Sequence, residues 1–154
     1  MNKLIATWFG IGYIKGGGTI AAAVTCALIW YLWWPTKAGQ SHWLFFLLTV
    51  LITLLGIYVG DKVERFWGKD SYRVVIDEVS GMMVTMLFVP HNLWLLLAGF
   101  ILFRFFDMVK PLYIRRLEAL PGGTGVMMDD VLAGLYGNIV LQIIIVCFPT
   151  ILLK

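Results

Sequence analysis

LFRFFDMVKPLYIRRLEALPGGTGVMMDDVLAG, residues 102–134, joins the end of one apolar run to the start of another. Arg104, Asp107 and Lys110 stand three apart at the end of the first run, and Pro111 closes it. A glycine-rich turn follows, and Asp129-Asp130 opens the last apolar segment. Five charges therefore fall where an apolar helix would leave hydrocarbon. A carboxylate beside lipid is costly unless it is paired, hydrated or bound to a cation, so these residues are candidates for a functional site.

The rest of the chain places that stretch in a membrane protein. Of 154 residues, 60% are hydrophobic and 14% charged, too apolar a balance for a soluble domain and suited to one integral membrane domain spanning residues 1–154. Trp8, Trp33, Trp34, Trp43, Trp67 and Trp94 fall near the ends of apolar runs, as in the aromatic belts of a bilayer interface. The net charge of +3 is modest and its lysines and arginines lie in short clusters, which favours anionic lipid over nucleic acid as a partner. Cys26 and Cys147 sit inside apolar segments without the spacing of a metal knuckle or redox pair, and the first apolar run lacks the pattern of a removable signal peptide.

Working outward, residues 1–13 predict a short interfacial or partly buried helix, followed by the turn Lys15-Gly16-Gly17-Gly18-Thr19. Apolar helices are expected from about Ile20 to Trp34, where Pro35 stops the run, and from Trp43 to about Val59. Residues 60–73 are the most charged stretch and are expected to face water or headgroups. Two shorter runs, 74–89 and 93–106, would make a thin crossing or a re-entrant hairpin. Residues 112–120 suit a short interfacial helix, and the last run covers Val131 to about Phe148. The expected fold is all-α: a small polytopic membrane helical bundle with a central acidic site at one membrane face. Turns 15–19, 60–77 and 104–130 are separated by even numbers of passes, so they share a face, and the lysine and arginine bias makes it cytoplasmic.

Each charged group has two readings. Asp77-Glu78 and Asp129-Asp130 each stand at the start of an apolar run, where acids cap a helix. Brought together with Asp107, however, five acids would repel strongly unless a divalent cation neutralised them, and oxygen-only ligands suit Mg²⁺. Arg104, Asp107 and Lys110 could form an intrahelical ion pair, or Arg104 and Lys110 could bind phosphate oxygens while Asp107 binds metal or orients water. The turn at Lys15–Thr19 could cradle a phosphate on its amides or be a flexible lead into the helix, and Gly122-Gly123-Thr124-Gly125 reads as a structural turn. His42 and His91 are expected on the far face, and neither cysteine has the arginine of a cysteine-phosphatase loop. What remains is water attacking phosphorus with metal assistance, with arginine and lysine stabilising the charge.

The motifs FRFFDMVKP, RRLEALPGGTGVMMDD and VLAG, with VVIDEVSGM at 74–82, resemble the C-terminal half of the phosphatidylglycerophosphatase A family. That resemblance implies a Mg²⁺-dependent enzyme of the bacterial inner membrane that removes the terminal phosphate of phosphatidylglycerophosphate to give phosphatidylglycerol. It carries over Asp70, Asp77, Glu78, Gly81, Arg104, Asp107, Lys110, Pro111, Gly122, Gly123, Gly125, Asp129, Asp130 and Gly134. Soluble relatives look like an all-helical bundle. The N-terminal half departs from the family, with Gly16-Gly17-Gly18-Thr19 in place of Ala-Pro-Gly-Thr. Together these readings assign Asp77, Glu78, Asp107, Asp129 and Asp130 to catalysis, with Asp77, Glu78, Asp107 and Asp130 on the metal. Arg104, Lys110, Lys15, Thr19 and Asp70 are assigned to substrate. The alternative is a non-enzymatic membrane protein that binds or passes a cation, but acids near helix ends beside basic residues fit phosphate better than a transport path.

Overall fold

A computed structural model describes residues 1–33, 42–69 and 71–148. Among these all the regular structure is helical: α1 Asn2–Ala6, α2 Gly17–Leu28, α3 His42–Trp67, α4 Ile76–Thr85, α5 Leu93–Val109, α6 Ile114–Glu118 and α7 Gly122–Cys147. A 3₁₀ turn at Ile11–Tyr13 precedes α2, and a wider π turn at Ile29–Trp33 ends it. The all-α expectation holds. Residues 34–41, with Pro35 among them, Asp70 and residues 149–154 lie outside the described residues.

α7 is the spine, packing against α3, α4, α5 and α6. Its small residues set the spacing. A side chain at Gly123 would run into the Ile57 carbonyl of α3, and one at Gly134 would strike the backbone of Gly81 on α4, whose carbonyl carbon lies 3.0 Å away. Between them Met127 fills the space left by Gly56. With little hydrophobic drive between helices in lipid, such close backbone approach is what holds them together.

Three boundaries differ from expectation. α2 begins at Gly17, so Gly17, Gly18 and Thr19 are its first residues and not part of the turn before it. α3 continues to Trp67, so Asp61, Lys62, Glu64 and Arg65 extend a helix instead of forming a loop. Lysine, glutamate and arginine are good helix formers, and the change in hydropathy marks where the chain leaves an apolar environment, not where the helix ends. α7 starts at Gly122, about two turns before Asp129-Asp130, so that pair does not cap it and Gly122–Gly125 is helical. Glycine costs roughly 1 kcal/mol per helical position relative to alanine. Tertiary contact overrides that cost: the Gly123 amide donates to Asp61 Oδ1 at 2.5 Å, a cap supplied by α3.

By length and composition α3 and α7, each of 26 residues, can cross a membrane. Leu47, Leu51 and Leu54 on α3 and Ile139, Ile143 and Val146 on α7 point outward, an exterior that fits lipid. α4 has 10 residues and α5 has 17, so neither alone reaches the ~30 Å of a hydrocarbon core. The carbonyls freed where α4 stops are met by α7: Asn138 Nδ2 donates to Thr85 O at 2.9 Å and to Leu87 O at 2.8 Å. The turn after α4 reaches the end of α2, where His91 stacks on Trp30 with ring centroids 4.5 Å apart, and Phe88 faces His42 and Trp43.

Because the obstacle at Gly134 is backbone and cannot swing aside, Gly134→Val should destabilise the protein by about 1–3 kcal/mol. Thermal unfolding in detergent checks this, and an unchanged midpoint would remove the α4–α7 contact from the account.

Candidate active site

One polar cavity of about 250 Å³ collects the charged motifs at one end of the bundle. Its lining comes from Ile14 and Gly16, from the start of α2, from Ser71, Tyr72 and Val74, from the start of α4, from the end of α5 and from α7. Asp77, Glu78, Arg104, Asp107, Lys110, Asp129, Asp130 and Thr19 all contribute. Lys15 is exposed and outside the lining, and Asp70 is not among the described residues. The histidines are remote, as expected: Gly18 at the head of α2 lies against Glu78, whereas Trp30 beyond its end stacks on His91. The 12 residues of α2 between them are roughly 18 Å of helix.

Local structure explains how each group arrives. Asp77 and Glu78 occupy the first turn of α4, and the Glu78 amide donates to Asp77 Oδ1 at 3.1 Å, so the helix-start reading holds for this pair. Asp129 and Asp130 are carried in by α7, each 4% exposed, where the glycine contacts draw that helix against α4. Lys110 ends α5 in a left-handed conformation (φ +47°), a place usually filled by glycine, and Leu112 beyond Pro111 is left-handed too (φ +55°). Each such residue costs of order 1–3 kcal/mol unless its surroundings hold it. Lys110 is held by an ion pair with Asp129 Oδ2 at 2.7 Å and by Glu118 Oε2 of α6 at 3.4 Å.

The acids divide into two sets. Asp77, Glu78 and Asp130 can each present an oxygen within 4.8 Å of the other two, the arrangement of a cation site. Two unit charges at that separation repel by roughly 3 kcal/mol at an effective dielectric of about 20. Glu78 Oε2 is buried and accepts no hydrogen bond among the described residues. Asp107 and Asp129 instead face cations. Asp107 Oδ2 sits 2.6 Å from Arg104 Nη1, which also lies 3.9 Å from Glu78 Oε1. Asp107, expected among the metal ligands, pairs with Arg104 through the i, i+3 spacing on α5 and also lies beside Asp130, at the edge of the trio. Burial opposes the charge on Lys110, but Asp129 and Glu118 outweigh it and raise its pKa above the ordinary lysine range. A raised folded-state pKa stabilises the fold fully below the ordinary lysine pKa, and that stability is lost only as pH climbs through the higher value.

Sequence reading missed several contributors. Ser71 and Tyr72 line the cavity, Glu118 completes the lysine pairing, and Asp61 caps α7 from 62 residues away. No local signal marks a partner so distant; only the charge-rich composition of 60–73 hinted that these residues stay near the polar end.

Clustered carboxylates that could hold a metal ion, set beside an arginine and a lysine inside an all-helical bundle, make a site suited to a phosphate ester. The comparisons point to the same class of substrate. The family model for phosphatidylglycerophosphatase A matches residues 4–145, and the chain belongs to that family and is an enzyme of the phosphatase class. It is 43% identical over 144 residues to a Bacteroides thetaiotaomicron protein provisionally named a phosphatidylinositol-3-phosphatase, covering 91% of each chain. It is 42% identical to the phosphatidylglycerophosphatase A of Haemophilus influenzae, over 89% of this chain and 84% of that one. The Escherichia coli phosphatidylglycerophosphatase A is 34% identical, over 85% of this chain and 76% of its own. No solved structure matches the chain.

Breaking the Lys110–Asp129 pair on one side takes the lysine's charge away from a buried carboxylate. Lys110→Met should therefore destabilise the protein by about 3 kcal/mol, and Lys110→Met/Asp129→Leu should recover most of that loss. Unfolding midpoints of the two single variants and the double variant measure the coupling; simple additivity would mean the pair is not formed.

Proposed function

We propose that the enzyme hydrolyses phosphatidylglycerophosphate to phosphatidylglycerol and inorganic phosphate with Mg²⁺, at the cytoplasmic face of a bacterial inner membrane, in phosphatidylglycerol synthesis. The observation that carries the reading is the meeting, in one cavity, of a three-carboxylate cation site with Arg104 and Lys110. The donor set fits the metal: all oxygens, no sulfur or imidazole, and a buried Glu78 oxygen with no hydrogen bond of its own. Asp77, Glu78 and Asp130 would hold the cation, whose charge neutralises them and polarises oxygen at the reacting phosphate.

The remaining groups act on substrate. Arg104 and Lys110 receive the non-bridging oxygens of the phosphate, Lys110 through an N–H not taken by its carboxylate partners. Asp107 aligns the Arg104 guanidinium, and Asp129 aims Lys110. The oxygen of a water molecule bonds to phosphorus as the ester P–O bond breaks. The departing headgroup oxygen takes up a proton, leaving a hydroxyl on the lipid and inorganic phosphate. Arg104 and Lys110 stabilise the charge spread over the equatorial oxygens at that point. Thr19 and the Gly17–Gly18 backbone form the opposite wall, beside the rest of the headgroup. The provisional name of the B. thetaiotaomicron relative favours a second substrate, phosphatidylinositol 3-phosphate, since both lipids present a phosphomonoester on a hydroxylated headgroup.

Phosphate release from phosphatidylglycerophosphate, phosphatidylinositol 3-phosphate and phosphatidic acid, each as sole substrate, tests the assignment. We expect the first to give the highest kcat/KM; preference for the inositol lipid would move the chain to the second reading. Excess chelator should abolish turnover and Mg²⁺ restore it. Asp77→Asn and Asp130→Asn should each cost more than the roughly 10- to 100-fold typical of groups that only support metal ligands. Full activity in chelator would reject the metal site.

Sidedness is tested separately. With Cys26 and Cys147 replaced, Ser71→Cys and Thr124→Cys should resist an impermeant thiol reagent in intact spheroplasts while Asn92→Cys reacts. Labelling of Ser71→Cys and Thr124→Cys from outside would reverse the orientation, and labelling of one alone would separate turns taken to share a face.

A further inference from the structure

The three consecutive glycines that lead into α2 meet three different surroundings. Gly16 has φ +79° and open space where a side chain would stand, so it is there for its backbone conformation. Gly17 lies against the backbone of the 3₁₀ turn, where a Cβ would come within 2.8 Å of Ile11 O and 3.1 Å of Gly12 Cα. Gly18 faces no backbone obstacle. A Cβ there would run into Glu78 Oε1 and stand 2.7 Å from Glu78 Cδ. We propose that Gly18 is a positioning residue, whose missing side chain leaves the space the Glu78 carboxylate occupies when it joins Asp77 and Asp130. The proposal rests on the cation site described under the proposed function and adds a residue to it.

The geometry separates this role from looser ones. Ala21 and Ala22, three and four residues further along α2, are fully buried, so the α2 interface accepts methyl groups one turn deeper. What excludes a methyl at position 18 is the carboxylate. On its other side Glu78 borders the cavity, with Oε1 3.9 Å from Arg104 Nη1, so a carboxylate displaced by a methyl at 18 has somewhere to go. Since the obstacle is the tip of a flexible side chain, the protein with a methyl at 18 can fold, but only by turning the Glu78 carboxylate out of the trio. A flexible lead into the helix, or a phosphate cradle built on amides, would be indifferent to the length of residue 78.

Mn²⁺ binding to the detergent-solubilised full chain, followed by electron paramagnetic resonance, provides a readout apart from turnover. Gly18→Ala should weaken Mn²⁺ binding about 10- to 100-fold while leaving the unfolding midpoint without metal nearly unchanged. Glu78→Asp shortens the side chain by one methylene and withdraws the carboxylate from position 18. It should weaken binding by itself, and adding Gly18→Ala to it should cost little more. Equal Mn²⁺ affinity in Gly18→Ala and the unaltered protein would overturn the proposal. So would an equal loss in both backgrounds, or unfolding of Gly18→Ala in both, since either result assigns Gly18 a backbone role. If the unaltered protein binds no Mn²⁺, or Asp130→Asn binds it undiminished, the cation site itself fails and the role of Gly18 falls with it.

Discussion

Three carboxylates buried within 4.8 Å of one another are the constraint to which the polar end of this molecule answers. Left uncompensated, each pair would repel by roughly 3 kcal/mol, a large fraction of the 5–15 kcal/mol by which proteins are commonly stable. The surroundings respond with cations from a single place, the end of α5. Arg104 serves Asp107 and approaches Glu78, while Lys110, in a left-handed cap, crosses to Asp129. These two take up the outer acids and leave Asp77, Glu78 and Asp130 facing each other. Added positive charge would lower the energy of such a site, and only then would it draw in a phosphate oxygen.

Burying those acids depends on how closely the helices approach. α7 reaches α4 through Gly134 against the Gly81 backbone, and reaches α3 through Gly123 against Ile57. A methyl group at either contact would push α7 outward and take Asp129 and Asp130 with it. The glycines of the family motif are thus part of the same construction as its acids. At the other end of α4, side-chain amides from α7 satisfy the carbonyls of Thr85 and Leu87, which lets a helix of only 10 residues stop inside an apolar environment. One helix therefore supplies acids to the pocket and donors to the opposite end of α4.

A phosphomonoester on a lipid headgroup requires the chemistry to lie where the apolar exterior ends, and the cavity is at that end of the bundle. The ionised groups of the cavity lie on the wall formed by α4, α5 and α7. The opposite wall, with the glycines of α2 and with Ser71 and Tyr72, carries no ionised group among the described residues.

The apolar helices, the all-α class and the candidate acids can all be read from the residues alone, because so apolar a chain keeps few charges and each one is conspicuous. Asp77, Glu78, Asp107, Asp129, Asp130, Arg104 and Lys110 were legible for that reason, and counting passes was enough to predict that they meet. The division of labour among them was decided only by tertiary structure. Spacing on α5 directs Asp107 to Arg104, but the pairing of Lys110 with Asp129 depends on how far α7 travels past α5. The start of α7 was hidden for a similar reason. Four residues with three glycines read locally as a turn, and what makes them helical is an aspartate 62 positions away together with backbone contacts that only glycine permits. Local propensity is worth about a kilocalorie per residue, and a buried contact between distant segments outweighs it.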